Sequence, residues 1–146
     1  YMVESQAIQG QVMSLILDGV FGKFPGLKVV LAESGVTWIP AFMWRANKTW
    51  RGVRVEVPWV DRQPSDILRD HFRFTTQPFD CPDDPATVEQ IIDQIGSDDM
   101  FLFASDYPHW QFEGADPVPP HLPASLIKKM SVDNPLATFP RLEIAA

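Results

Sequence analysis

The chain has 146 residues, of which 45% are hydrophobic and 21% charged, and it carries a net charge of −7. That is enough apolar material for one packed core and too little charge for a disordered tail; the 12 Lys and Arg residues are scattered rather than gathered, which argues against nucleic acid as a partner. There is no run of roughly 18 apolar residues to cross a membrane, and a lone cysteine, Cys81, has no partner for an internal disulfide, so a reducing, cytoplasmic setting is expected.

The opening Tyr1-Met2-Val3-Glu4-Ser5-Gln6 has neither the basic nor the apolar region of a signal peptide, and a start further upstream is expected. From Ser5 to about Phe24, Ile8, Val12, Leu15, Ile16 and Val20 recur at helical spacing, and Pro25-Gly26 closes an amphipathic helix. Leu27-Lys28-Val29-Val30-Leu31-Ala32 reads as a strand buried on both faces, ending at Glu33-Ser34-Gly35. Thr37 is placed to cap a second helix with the stripe Ile39, Phe42, Met43, Ala46 and Trp50, which Gly52 ends. Residues 53–64 have no period and read as a loop, followed by a short capped helix from Ser65 to Asp70.

His71-Phe72-Arg73-Phe74-Thr75-Thr76 alternates and suits a strand. The clearest helix signal follows: Asp84 as N-cap, Pro85 in the first turn, the stripe Val88, Ile91, Ile92 and Ile95, and Gly96 beyond the end. Met100-Phe101-Leu102-Phe103-Ala104 is a continuous apolar strand running into Ser105-Asp106-Tyr107-Pro108-His109-Trp110. A proline-rich loop then leads to a helix from Ala124 to Met130 and a last turn near Asp133-Asn134-Pro135. Helices and strands alternate throughout, the order of right-handed parallel βαβ units, and the fold class is α/β. Three strands are too few to close a parallel barrel, which needs about eight strands and roughly 250 residues. The units therefore belong to a longer chain or form a small open sheet.

In parallel α/β folds the ligand sits at the carboxyl ends of the strands, so Glu33 and Ser34, Thr75 to Gln77, and Asp106 with His109 are the residues that matter for chemistry. A carboxylate there has lost water and must bind a cation, accept hydrogen bonds or shift its pKa. Asp106 is the foremost candidate; its alternative is to cap the following turn. Glu33 has the same two readings. His109 and Trp110 lie where a substrate would be touched or the rim packed, and Trp59 shares that ambiguity. His71 and His121 read as structural or exposed. The sequence has no His-x-His, His-x-x-x-His or cysteine pair, and it lacks the glycine-rich nucleotide fingerprints and the Gly-x-Ser-x-Gly elbow.

Four segments, in order, resemble the C-terminal half of the amidohydrolase-related TIM barrels, a family that includes aminocarboxymuconate-semialdehyde decarboxylase and related aromatic-acid decarboxylases. They are Gly19-Val20-Phe21 through Phe24-Pro25-Gly26-Leu27-Lys28-Val29-Val30-Leu31-Ala32-Glu33-Ser34-Gly35, then Trp38-Ile39-Pro40, Phe103-Ala104-Ser105-Asp106-Tyr107-Pro108-His109, and Asp133-Asn134-Pro135-Leu136-Ala137. The resemblance implies about three βα units of a (β/α)8 barrel, residues 1–146 forming one partial-barrel domain whose N-terminal strands lie elsewhere. It assigns metal binding and proton exchange to Asp106, with Glu33 standing where many relatives have a histidine. A divalent metal, zinc above all, is implied, its histidine ligands lying upstream of Tyr1. The implied activity is hydrolysis or non-oxidative decarboxylation of a small carboxylate or aromatic substrate, in association with the missing half-barrel and in a homo-oligomer. The competing reading is a metal-free, degenerate barrel that serves as a structural or interaction module.

Overall fold

A computed structural model describes residues 3–110, 112, 114 and 117–142. Tyr1 and Met2 of the opening segment, and residues 111, 113, 115 and 116 of the proline-rich loop, lie outside the described residues. The chain divides into two compact units: Tyr1–Val29 with Trp38–Phe72, and Val30–Thr37 with Arg73–Ala146.

The first unit is helical: α1 (Glu4–Leu17), α2 (Val20–Lys23), α3 (Ile39–Val53) and α4 (Pro64–His71). The helix expected from Ser5 to Phe24 is two helices, because Gly19 adopts a left-handed φ of 70° and interrupts the ladder. Trp59 sets that break. Its indole Nε1 donates to the carbonyl of Leu17 at 2.6 Å, and its ring occupies the space a Cβ at Gly19 would take. In α3 the buried stripe is Ile39, Met43 and Ala46, with Arg45 and Lys48 exposed as the 3.6-residue period requires. Thr37 does not cap α3: Trp38 holds that position and Pro40 sits in the first turn, while the Thr37 hydroxyl donates elsewhere. Gly52 lies inside the last turn rather than ending it.

The α4 helix starts with Pro64 after Gln63, and Ser65 is bonded to Asn47 instead of capping, Asn47 Nδ2 donating to its hydroxyl at 2.9 Å. His71 ends α4 and is buried, stacked on Phe21 at 4.4 Å with Nδ1 2.9 Å from the Leu27 carbonyl, a core role. Side chains such as Ile16, Ile39, Met43 and Leu68, all nearly inaccessible, each contribute about 1.5–3 kcal/mol by leaving water.

The second unit holds the sheet, ordered β1-β2-β3, from β1 (Val29–Leu31), β2 (Phe72–Thr75) and β3 (Phe101–Leu102). β2 and β3 are parallel, with Phe74 opposite Phe101 and Thr75 opposite Leu102. The strands are shorter than the sequence patterns suggested. β1 is half-buried rather than covered on both faces, since it is an edge of the sheet among the described residues. The central strand β2 is more buried than its alternation implied: Phe72, Arg73 and Phe74 are all shielded.

The α5 helix (Pro85–Ile95) follows its sequence signals closely. Asp84 accepts from the N–H of Thr87 at 2.9 Å, Val88, Ile92 and Ile95 are buried, and Gly96 ends the helix at φ 70°. A single 3₁₀ turn (Asp98–Met100) precedes β3. After Pro123 come α6 (Ala124–Lys128), a π-helical turn (Lys129–Asp133) and α7 (Asn134–Thr138). Asn134 is buried and its amide donates to the carbonyls of Asp98 and Phe101, both at 2.8 Å, so the Asp-Asn-Pro segment fixes the start of β3.

Candidate functional site at the strand ends

Beyond β3 the N–H of Phe103 donates to the Met130 carbonyl at 3.0 Å, and the chain reaches Asp106 three residues later in an exposed-rim turn. Asp106 has a left-handed φ of 61°, a conformation rare for residues with a Cβ and best tolerated by Asn and Asp. Its backbone carbonyl accepts from the N–H of His109 at 2.7 Å, and its Oδ2 lies 2.8 Å from His109 Nδ1. The carboxylate is only 13% exposed and the imidazole 34%, so the pair is sheltered but reachable. Trp110 is largely exposed, with its ring centroid 5.6 Å from that of His109.

Glu33 also has a left-handed φ, 56°, at the end of β1. Its N–H donates to Thr75 Oγ1 at 3.1 Å, which ties the β1 end to the β2 end. Its side chain is exposed. The structure thus joins Asp106 directly to His109, whereas Glu33 is held through its backbone.

Sequence reasoning overlooked Asp80. Its Oδ1 accepts from the N–H of Val36 at 2.8 Å, and its Oδ2 accepts from the Thr37 hydroxyl at 2.6 Å. A Cβ at Gly35, whose φ is 67°, would come 2.5 Å from the same carboxylate. Asp80 therefore clamps the turn that presents Glu33. No local signal marks it, because its partners lie 43 and 44 positions earlier. The neighbouring Cys81 is pushed up to about 11, chiefly by burial with the Asp80 carboxylate adding to it, and so stays a thiol rather than a nucleophile.

Among the described residues no three His, Cys, Asp or Glu side chains converge closely enough to hold a metal ion. Asp106 supplies one carboxylate, one oxygen of which is engaged by His109. These residues alone do not make a metal centre. No helix among the described residues is long and apolar enough to cross a membrane.

The Amidohydrolase family profile matches residues 2–141. Among solved structures the chain is similar to an amidohydrolase from Mycobacterium avium subsp. paratuberculosis K-10, at 27% identity and a TM-score of 0.73, covering 92% of this chain and 34% of that one. It is similar to a dihydroxybenzoic acid decarboxylase from Polaromonas sp. JS666, solved with bound manganese and the inhibitor 2-nitroresorcinol, at 25% identity and a TM-score of 0.66, covering 93% and 40%. A 2,6-dihydroxybenzoate decarboxylase complexed with 2,6-dihydroxybenzoate shares the fold at 24% identity and a TM-score of 0.67, covering 93% and 41%. No curated protein matches. The chain thus spans about a third to two fifths of the length of these structures. Its parallel βα units are part of a TIM barrel, and the chain belongs to the amidohydrolase family.

Proposed function

We propose that this chain supplies part of the strand-end face of an enzyme that hydrolyses or non-oxidatively decarboxylates a small carboxylate or aromatic substrate, with Asp106 as the proton-moving group. The observation that carries this reading is the Asp106–His109 pair, 2.8 Å apart and sheltered at the carboxyl end of β3. An imidazole held against the carboxylate fixes the direction from which Asp106 takes or gives a proton, and positioned proton transfer of this kind contributes about 10²–10⁴-fold. Both reactions need it: hydrolysis removes a proton from water and hands it to a leaving group, and decarboxylation delivers one to the carbon that loses carbon dioxide. The similar protein from Polaromonas sp. JS666, a dihydroxybenzoic acid decarboxylase, supports the same substrate class here.

A divalent ion, zinc included, enters only with donors from outside the described residues, and no step above depends on it. The same donor count favours a second reading, a metal-free barrel segment with a structural or binding role. Turnover of a panel of hydroxylated benzoates and amides by the full polypeptide, with and without Asp106→Asn, separates the two. Turnover that falls by about 100-fold or more in the variant supports the enzyme. A well-folded protein with no turnover and no metal uptake supports the binding module.

A further inference from the structure

Two segments of the second compact unit, 33–37 after β1 and 75–80 at the end of β2, are tied together at both of their ends. At one end the N–H of Glu33 donates to Thr75 Oγ1 at 3.1 Å, and that hydroxyl donates in turn to the Gln77 carbonyl at 3.4 Å. At the other end Asp80 accepts three times: Oδ1 from the N–H groups of Val36 at 2.8 Å and Thr37 at 3.3 Å, and Oδ2 from the Thr37 hydroxyl at 2.6 Å. Between the anchors Ser34, Gly35 and Val36 are buried. Glu33, the one ionisable residue of 33–37, keeps an exposed side chain on a left-handed backbone of φ 56°. A residue with a Cβ holds such a conformation only where its surroundings over-determine it, and strain of this kind gathers at sites that use it.

We propose that Asp80 is a positioning residue for the reaction, holding the turn 33–37 so that Glu33 offers its carboxylate to the substrate from one fixed backbone position, an inference that rests on the strand ends being the substrate face. Both anchors are needed. The single bond from the Glu33 N–H to Thr75 is a pivot, about which the turn can still swing; the three bonds to Asp80, charge-assisted and therefore among the stronger ones, stop that rotation at its far end. Gly35 admits the contact, since a Cβ there would lie 2.5 Å from the Asp80 carboxylate. With both of its oxygens engaged by the turn, Asp80 acts through Glu33 and not on the substrate. A reacting group displaced by about 1 Å loses up to about 100-fold in rate, so a loosened turn reads out as lost turnover.

The test is a double-mutant cycle between Asp80 and Glu33 in the full polypeptide, with kcat and KM measured on hydroxylated benzoates and Tm recorded for each protein. Asp80→Ala is expected to lower kcat by about tenfold or more while KM moves by less than about threefold. Asp80→Asn, which keeps an oxygen for the Val36 and Thr37 N–H groups, is expected to restore most of that loss. The deciding variant carries Asp80→Ala together with Glu33→Gln. If Asp80 acts through Glu33, the double variant is no slower than Glu33→Gln alone, whereas a purely structural contribution multiplies the two losses. Should Asp80→Ala fail to fold, Thr37→Val removes only the hydroxyl contact and replaces it in the same cycle, with a smaller loss and the same lack of additivity expected. Unchanged kcat in Asp80→Ala or in Glu33→Gln overturns the proposal, and so do losses that multiply. A wild type that turns over alongside any of these results leaves the proton-transfer reading standing, whereas a wild type without turnover overturns both.

Discussion

The indole of Trp59 fills the space above Gly19: a Cβ at Gly19 would lie 2.4 Å from Trp59 Cδ1. The left-handed backbone at Gly19 and the ring that covers it are one device, ending α1 and turning the chain into α2. Gly19→Ala adds both a conformational cost and a clash and is expected to destabilise by about 2–4 kcal/mol. Equilibrium denaturation in urea checks it, and a loss below 1 kcal/mol would mean that the indole moves aside freely.

Glu33 occupies a left-handed conformation that glycine adopts without strain. Its side chain is exposed, so no packing compensates for the backbone strain. Glu33→Gly is therefore expected to raise stability by about 0.5–1 kcal/mol, by relieving that strain, and to reduce turnover if the carboxylate serves the site. Thermal unfolding and rate measurements on the same samples check both halves; lower stability would show that the side chain holds the turn.

The carboxyl of Asp84 lies below the usual carboxylate range, first because the Thr87 hydroxyl bonds to it and second because the Thr87 N–H does. A carboxyl lowered on folding adds stability that is present above its unfolded pKa and lost as pH falls through the folded value, here below roughly pH 4. Asp84→Asn keeps the cap but removes the titration, so its unfolding free energy should fall less steeply between pH 5 and 2 than that of the wild type. Identical slopes would contradict the assignment.

The sheet order leaves β1 and β3 as edges among the described residues. Unpaired strand edges recruit other strands, and the isolated chain is expected to self-associate at micromolar concentration. Light scattering after size-exclusion chromatography checks this. A monodisperse monomer would mean that the edges are covered within the chain.

Elements whose signals are local were legible in the sequence. The cap, proline, apolar stripe and terminal glycine of α5 all lie within thirteen consecutive residues, and the structure follows them. Signals that depend on distant partners were not. Thr37 has the chemistry of a helix cap, yet its hydroxyl is drawn to Asp80. Gly19 looked like one residue in a continuous helix because Trp59, which fills the space above it, lies far along the chain. Asp106 and His109 stood out because they lie three positions apart directly after an apolar strand. Asp80 could not be singled out without knowing that the fold brings Val36 and Thr37 to its carboxylate.

The most direct measurement is the turnover of Asp106→Asn beside the wild type on hydroxylated benzoates, following carbon dioxide release, with Tm recorded on both. Asn tolerates the left-handed φ of 61° at this position, so the fold is expected to survive and Tm to change little. Removal of the proton-moving carboxylate is expected to lower turnover by about 100-fold or more, with a smaller loss in His109→Gln, which removes the imidazole that orients it. Turnover within about threefold of wild type in a stably folded Asp106→Asn protein would contradict the proton-transfer role and leave the strand-end pair as a structural turn.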